Sequence, residues 1–291
     1  MSATPDVAPA DLTSAQGAMQ PPSANRNVTA RLANIIRERY LSLLSIAGFA
    51  IVWELVAVLV VRDPVFLPTP VATVRALIHY WDRPYPSQGK SISYDIFISL
   101  RRILIGFGIG TTIGIILGGL MSALRPIRFM VDPFIELTRP LPPLAFIPLL
   151  LVWFGLGETP KIVLITIGVI PIITVSTAAA ISDVRDDLLN AARCLGASEF
   201  QTVIYVQIRA ALPQIITGMR LAMGISWTSI VAAEYVAATS GLGFVIIQAG
   251  QFLRTDLIFA GILIIAVLGI SIDALLRLLK SRIDPVARFA Q

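Results

Sequence analysis

The side chains that most often carry covalent or metal chemistry are scarce in this 291-residue chain. It has one cysteine, Cys194, and one histidine, His79, so an internal disulfide and a His/Cys metal cluster are both excluded. A zinc or acyl-transfer enzyme would need clustered histidine, cysteine or a triad, and the sequence lacks those parts. We therefore expect no catalytic residue, no metal site and no cofactor bound by this chain.

One short motif imitates a nucleotide site. Gly89-Lys90-Ser91 reads like the end of a phosphate-binding loop, which needs another glycine five residues before the first of these. That position is Pro84, in a proline-rich stretch. We reject nucleotide binding by this motif, so any ATP that drives the protein is bound on another polypeptide.

Three carboxylates lie in apolar surroundings: Glu54, Glu234 and Asp273. Acids inside a membrane indicate a pathway or an interhelical contact. Glu54 and Asp273 are near span ends, where solvation accounts for them, and Glu234 is deeper and is interpreted as a structural or gating contact. A proton relay would need a second deep acid or a histidine.

Composition shows which elements must position these groups. The chain is 56% hydrophobic and 14% charged, whereas soluble domains carry about 25% charged residues. This indicates an all-α polytopic membrane protein. Lipid offers the backbone no hydrogen-bond partners, so a spanning segment must be a helix or a strand of a closed barrel, and the short alternating strands of a barrel are not present in this sequence. Spans of about 20 apolar residues are predicted at six places: 41–61, 103–124, 140–156, 160–181, 213–238 and 257–279.

Lysine and arginine placement predicts the orientation. Fourteen fall on the side of the N-terminus and eight on the other side, which favours both termini in the cytoplasm of a multi-pass inner (plasma) membrane protein. Arg101 and Arg102 fit this pattern poorly and are interpreted as reaching headgroups. The basic residues cluster at span ends, so the net charge of +5 indicates membrane orientation, and no nucleic acid partner is expected.

The predicted organisation has five parts. In chain order they are a disordered cytoplasmic tail (1–39), a first transmembrane helix (40–62), an external loop (63–102), a core transmembrane domain (103–280) and a cytoplasmic C-terminal tail (281–291). In the external loop, Thr69 can cap a short helix that has Pro70 at its first position and lies at the outer membrane surface.

The second span carries glycines every four residues: Gly106, Gly110, Gly114 and Gly118. Small residues on one helix face allow another backbone to approach closely, so this stripe predicts a helix–helix contact.

The third span is interrupted by prolines, among them Pro142 and Pro143, before Phe146. Interior prolines remove backbone donors, and such backbone is tolerated at membrane depth only beside protein or a water-filled cavity. A non-ideal helix near the central pathway is predicted, although a cytoplasmic loop leading into a short span is the alternative.

The fifth span contributes a further set of pathway candidates. They are Ser226, Trp227, Thr228 and Ser229, with Glu234. An equal alternative is that these residues form hydrogen bonds between helices and do not line the pathway.

A polar, amphipathic segment from Arg185 to Pro213 separates two apolar spans. Its apolar residues recur at helical spacing, Gly196 can end a first helix and Ser198 can cap a second. The pattern predicts helix, tight turn and helix on the cytoplasmic side. A docking surface for a partner and a purely structural helix pair explain it equally well.

The same segment resembles the "EAA" loop of ABC importer permeases. Asn190-Ala191-Ala192 stands where that motif has Glu-Ala-Ala, Gly196 follows at the expected distance, and Leu212-Pro213 lies downstream. The leading Glu is replaced by Asn190. The stretches 139–162, 218–244 and 249–262 are similar to the nitrate/sulfonate/taurine branch, most of all to taurine permeases.

The resemblance implies the type I ABC importer transmembrane fold, as in methionine-importer permeases. It implies two copies of this chain around a pathway and two separate ATP-binding subunits that carry ATP and Mg and hold a coupling helix at 186–199. A periplasmic or lipid-anchored binding protein would deliver substrate. The ATPase-coupling residues it implies are Asn190, Ala191, Ala192, Leu195, Gly196, Ala197 and Phe200.

The function implied is import of a small organic anion, taurine or another alkanesulfonate. Nitrate, bicarbonate, an aromatic acid or a vitamin precursor remain alternatives in the same class. A proton- or sodium-driven transporter would show inverted repeats and several intramembrane ionisable residues, and neither pattern is clear in this sequence. A membrane-embedded enzyme or scaffold is the third class.

Overall fold

The computed structural model describes residues 40–41, 44–83 and 91–287, with no side-chain description for 237 and 284–287. The predicted tail 1–39, the Gly89-Lys90 part of the phosphate-loop imitation and the end of the predicted C-terminal tail lie outside these residues. The chain divides into one unit ending at Glu54 and a second from Leu55 onward. The second unit contains the features discussed below, apart from residues 44–54 of the first helix.

The described residues form helices connected by short turns. In chain order they are α1 (Leu44–Val61), α2 (Pro70–His79), α3 (Ile92–Ala123), α4 (Arg125–Thr138), a 3₁₀ turn (Pro143–Phe146), α5 (Ile147–Phe154), α6 (Thr159–Ser182), α7 (Asp186–Cys194), α8 (Glu199–Gln201), a π-helical turn (Thr202–Gln207), α9 (Ile208–Ala237), α10 (Leu242–Gln251) and α11 (Thr255–Ala287).

Five helices are long and apolar enough to cross a membrane, and a sixth crossing results if α4 and α5 are counted as one bent span. The prediction of an all-α polytopic membrane protein is confirmed. Two boundaries differ from the sequence expectation, since α3 begins at Ile92 and not near 103 and α11 continues to Ala287. The short apolar helix α10 was not predicted.

Helices α3 and α6 pack side by side in the same direction along the glycine stripe. A Cβ added to Gly106 would stand 2.8 Å from the Ile165 Cβ, and one added to Gly118 would stand 2.7 Å from the Thr177 Cβ. Later positions on α3 thus meet later positions on α6. The two helices start at one end of the bundle and finish at the other.

Helix α9 returns antiparallel to α6, and α11 then runs back along α9. Gly218 meets Ser176, and Gly168 faces Ile225 and Ser229 on the next turns of α9. On α11, Gly269 lies beside Trp227 and Lys280 donates a hydrogen bond to Thr217 at 3.0 Å. Residues 183–207 therefore lie at one end, termed the loop end. The beginnings of α3 and α6 and the end of α9 lie at the opposite end.

The proline-rich third span is broken. Helix α4 and the segment Pro143–Phe154 meet at an angle of 92°, and the turn between them contains Pro140 and Pro142. Pro143 packs against Gly168 in the middle of α6. Only the segment after the break is inserted between other helices, since Ile147 and Leu150 are buried whereas most of α4 is exposed.

Helix α2 begins as the sequence predicts. The Thr69 hydroxyl accepts a hydrogen bond from the Ala72 N–H at 3.2 Å, and Pro70 occupies the first helical position. Thr73 and Ala76 are buried, whereas Val71, Val74 and Ile78 are exposed.

Candidate functional site

The segment between α6 and α9 folds as two short helices joined by a tight turn, and we term residues 185–207 the helical elbow. Helix α7 ends at Cys194 because Gly196 adopts a left-handed conformation (φ 84°), and the Ala197 N–H then donates to the Ala192 carbonyl at 3.0 Å. The residue pattern predicted this end, whereas the coupling helix that the resemblance implied at 186–199 is too long, because the glycine terminates α7.

A capping box starts the second helix. The Gln201 N–H donates to the Ser198 hydroxyl at 3.3 Å, and the Ser198 N–H donates to the Gln201 side chain at 2.9 Å. Both helical ends at the turn therefore satisfy their backbone groups locally. The turn needs no help from the rest of the bundle to hold its shape.

The helical elbow exposes apolar side chains at its turn. Leu195 is 89% exposed and Phe200 is 74% exposed, and Asn190, Ala191 and Gly196 are exposed beside them. Ala192 and Ala197 are half-buried. All seven residues expected to couple to an ATPase therefore lie on one short segment, and none is fully buried. Large exposed apolar side chains in a polar segment are typical of an interaction surface.

Ion pairs on the helical elbow are local and open to solvent. Arg185 pairs with Asp187, and Arg193 pairs with Glu199 at 3.0 Å across the turn. The hydrogen bond from Arg185 lowers the pKa of Asp187, and the hydrogen bond to Glu199 raises the pKa of Arg193. The Arg193–Glu199 pair spans the turn between α7 and α8, whereas the Arg185–Asp187 pair lies at the start of α7.

At the opposite end lies a buried group that we term the ionic cluster: Arg102, Glu158, Lys161 and Glu234. Arg102 is 1% exposed. It donates to both Glu158 oxygens at 2.6 Å and to Glu234 Oε1 at 2.7 Å. Lys161 Nζ lies 3.3 Å from Glu158 Oε1. The expectation that Arg102 reaches headgroups was wrong, because two carboxylates from other segments neutralise it inside the bundle.

The ionic cluster also holds the link between α9 and α10. Arg102 donates to the Ser240 carbonyl at 2.7 Å, and the Gly243 N–H donates to Glu234 at 2.9 Å. Asp95 accepts from the Gly241 N–H at 2.7 Å. Gly241 has φ 114°, and a side chain at this position would clash with the Glu234 carboxylate, so the position requires glycine. Four separate parts of the chain are therefore joined at one buried point.

Electrostatics explain why Glu158 remains charged. Its side chain is 43% exposed, and the hydrogen bonds from Arg102 lower its pKa to about 2. Glu234, in contrast, is completely buried and accepts from Ser99 at 2.7 Å as well as from Arg102. The sequence predicted a structural or gating contact for Glu234 but did not identify Arg102 as its partner.

A second interhelical ion pair joins α9 to α11 toward the loop end. Arg220 donates to Asp273 at 2.6 Å, and Arg277 donates to the same carboxylate at 2.6 Å. The interpretation that solvation accounts for Asp273 was wrong, because two arginines bind it.

The structure separates the pathway candidates on α9. Ser226 and Ser229 are fully buried and Trp227 is 8% exposed, whereas Thr228 is exposed. Consecutive helical residues point in different directions, so a run of four cannot line one surface. Ser226 donates to the Ala222 carbonyl at 2.9 Å, which is a contact within its own helix.

A cavity of about 180 Å³, which we term the bend cavity, lies at the break in the third span. Its walls include Arg139, Pro143 and Phe146 from the broken span, Gly168 from α6 and Ile225 from α9. Of the predicted pathway residues, Pro143 and Phe146 line it. Pro142 is exposed at the turn itself. Within the described part of the chain, no group of histidine, cysteine and acidic residues has the arrangement of a metal site.

Comparison with known proteins agrees with this architecture. Residues 110–285 match the family described as binding-protein-dependent transport system inner membrane component. The taurine transport system permease protein TauC of Escherichia coli K12 is 38% identical over 249 residues, which cover 86% of this chain and 90% of TauC. The nitrate import permease protein NrtB of Synechococcus elongatus is 31% identical over 247 residues, covering 82% and 88% of the two chains.

A solved structure shares the fold. A chain of the MetNI methionine ABC transporter, in an inward-facing crystal form, superposes with a TM-score of 0.56 at 22% identity and covers 68% of this chain and 94% of its own length. This likeness identifies the type I ABC importer transmembrane fold, as the sequence predicted. The chain belongs to the family of binding-protein-dependent transport system inner membrane components and is a permease subunit of an ABC importer.

Proposed function

We propose that this permease carries a small organic anion into the cell, with taurine or another alkanesulfonate as the substrate. The single observation that supports this substrate class is the 38% identity to TauC over nine-tenths of that protein. Nitrate is the second candidate, because NrtB is similar over almost the same length at 31% identity.

The assembly we propose contains two copies of this chain, two ATP-binding subunits and a periplasmic or lipid-anchored binding protein. ATP and Mg are bound by the ATP-binding subunits. The helical elbow is the docking site for an ATP-binding subunit, in support of which Leu195 and Phe200 present apolar surface to solvent at the end of a polar segment. Asn190 supplies no charge where related motifs carry Glu, so apolar contacts dominate this docking site.

The orientation follows from this docking role. The loop end faces the cytoplasm and the opposite end faces the outside, in agreement with the excess of arginine and lysine near the loop end. Both termini then lie in the cytoplasm.

Transport in this proposal is a two-state process. ATP closes the pair of ATP-binding subunits, the helical elbows move with them, and the two permeases change from inward-open to outward-open. ATP shifts this equilibrium only by binding the two states with different affinity, so the contact at the helical elbow must be rigid. The capping box at Ser198 and the backbone hydrogen bond at the left-handed Gly196 turn supply that rigidity.

Radiolabelled uptake tests the substrate class. The permease is reconstituted into liposomes with the ATP-binding subunit and the binding protein of the same genome. We expect ATP-dependent taurine uptake that ethanesulfonate inhibits and nitrate does not. Inhibition by nitrate alone would replace taurine with the second candidate, and uptake without ATP would contradict the importer mechanism.

A further inference from the structure

The bend cavity contains a cation without a protein counter-ion. Arg139 lines it together with Thr138, and among the described residues Arg139 forms no ion pair. Arg102 and Arg220, which lie within spanning helices, are each bound by carboxylates, whereas Arg139 lies in the turn that follows α4. A cation at membrane depth is costly unless water, backbone or an anion solvates it. Arg139 is exposed in the turn after α4, so its positive charge is available to an anion that enters the bend cavity.

The bend cavity lies near the middle of the bundle. Gly168 is in the interior of α6, about 13 Å from the start of that helix and about 21 Å from its end at 1.5 Å per residue. Ile225, on the opposite wall, is likewise in the interior of α9. A solute held in this cavity is half-way between the two ends.

A second polar group without a hydrogen-bond partner lies behind the wall of the bend cavity. Ser229 is fully buried, and its hydroxyl forms no hydrogen bond with any described residue. Its Oγ would lie 3.4 Å from a Cβ on Gly168, which is a wall residue of the bend cavity. Because Gly168 has no side chain, the enclosed hydroxyl lies directly behind this part of the cavity wall.

Size limits the occupant. A volume of about 180 Å³ is below the ~300–1,000 Å³ of pockets that hold drug-sized ligands, and at about 30 Å³ per molecule it has room for roughly six waters. Apolar walls from Phe146 and Ile225 suit a short alkyl chain, and one guanidinium suits an oxyanion, which it binds with two parallel hydrogen bonds.

We propose that the bend cavity is an anion-binding station of the translocation pathway and that Arg139 binds the sulfonate or carboxylate of the transported solute there. This inference rests on the proposed function, because it assigns the site at which the imported anion is held. Phe146 and Ile225 contact the alkyl part.

Transport by charge variants is the first test. Arg139→Gln should reduce taurine uptake roughly tenfold or more, the effect of losing a charge-assisted hydrogen bond, while binding-protein-stimulated ATP hydrolysis is retained. Arg139→Lys should give intermediate uptake. Arg128→Gln is the matched control, since Arg128 is exposed on helix α4, which Arg139 follows directly, and pairs with Asp132. Unchanged uptake in Arg139→Gln, or uptake and hydrolysis lost together, would overturn the proposal.

The wild-type importer separates the two proposals. If it carries another small anion in place of taurine, the substrate assignment fails and Arg139→Gln is tested with that anion. If it carries only neutral or cationic solutes, both proposals fail.

Thiol reactivity tests the site without requiring transport. Leu141→Cys lines the bend cavity, and Cys194→Ser removes the native thiol of the full-length protein in lipid nanodiscs. We expect a negatively charged sulfonatoethyl thiosulfonate to react faster than its trimethylammonium analogue, and taurine to slow that reaction. Adding Arg139→Gln should lower the ratio of the two rates severalfold. An unchanged ratio would overturn the proposal even if that variant assembles poorly.

Discussion

The helical elbow and the ionic cluster use charge in opposite ways. On the helical elbow, each ion pair joins residues two or six positions apart, and all four side chains are at least 48% exposed. In the ionic cluster, Arg102 is 1% exposed and joins residues 56 and 132 positions away. The first arrangement shapes a local surface, whereas the second fastens distant segments together.

This difference agrees with the functions that we propose for the two ends. Exposed pairs stabilise a fold little, because solvent screens them, so the helical elbow can bind a partner without first breaking strong contacts. A buried charge that loses its partner is strongly unfavourable, so the ionic cluster resists rearrangement. We therefore expect the opposite end to rearrange less than the helical elbow during transport.

Removing Arg102 should give the largest effect. Arg102→Met leaves Glu234 buried without its counter-ion, and we expect a loss of roughly 3–5 kcal/mol of stability. The measurement is thermal aggregation of the detergent-solubilised protein, followed by size-exclusion chromatography. Arg185→Met removes an exposed arginine from the helical elbow and should leave the profile unchanged; equal loss in both variants would contradict the contrast.

Alanine substitutions on α3 should give an intermediate effect. A Cβ on Gly110 would stand 2.7 Å from the Val169 Cβ, whereas a Cβ on Gly108 meets nothing within 4 Å. Gly110→Ala should therefore destabilise the α3–α6 contact by about 1–3 kcal/mol through overpacking. Gly108→Ala on the same helix is the control in the same melting assay. If the two variants melt alike, the glycine stripe is not a close packing face.

Substitution at the turn of the helical elbow should separate stability from coupling. Gly196→Val places a branched side chain at φ 84°, where a non-glycine residue is strained by roughly 1–2 kcal/mol, and it alters the proposed docking surface. We expect uptake to fall while the permease remains in the membrane and ATP hydrolysis continues. Normal uptake would exclude a docking role for this turn.

The smallest expected effect is the pH dependence of Glu158. Its pKa is lowered to about 2 from 4.5, so its ion pair contributes stability above about pH 4.5, and the contribution is lost as the pH falls toward 2. The difference in melting temperature between the wild type and Glu158→Gln should be constant from pH 8 to 5 and shrink below pH 4.5. A difference that shrinks near pH 7 would show that Glu158 is not held by Arg102.

The helical elbow could be predicted from sequence, because its signals are local. Gly196 ends a helix through its own backbone, and Ser198 and Gln201 cap the next one within four residues. The same holds for the cap at Thr69. The contact of the glycine stripe was predictable in kind, but its partner helix was not, because spacing on one helix does not identify the neighbour.

The ionic cluster could not be predicted in the same way. Its members come from α3, the start of α6 and the end of α9, and only the fold brings them together. Arg101 and Arg102 looked like a pair of interface arginines, since they are adjacent and both precede the same apolar run. A helix points adjacent side chains in different directions, so Arg101 is exposed whereas Arg102 is buried. For the same reason Thr228 is exposed, whereas its neighbours Trp227 and Ser229 are buried.

The most direct test of the central claim uses Cys194, the single cysteine of the chain, which is exposed on the helical elbow. A membrane-impermeant maleimide is applied to intact cells and to inside-out vesicles, and a bifunctional thiol cross-linker is then added to the assembled importer. We expect Cys194 to be labelled only in inside-out vesicles. We also expect a cross-link from Cys194 to the ATP-binding subunit, and the Phe200→Asp substitution should reduce the yield of this cross-link. Labelling of Cys194 from outside intact cells, with no cross-link to that subunit, would contradict the account.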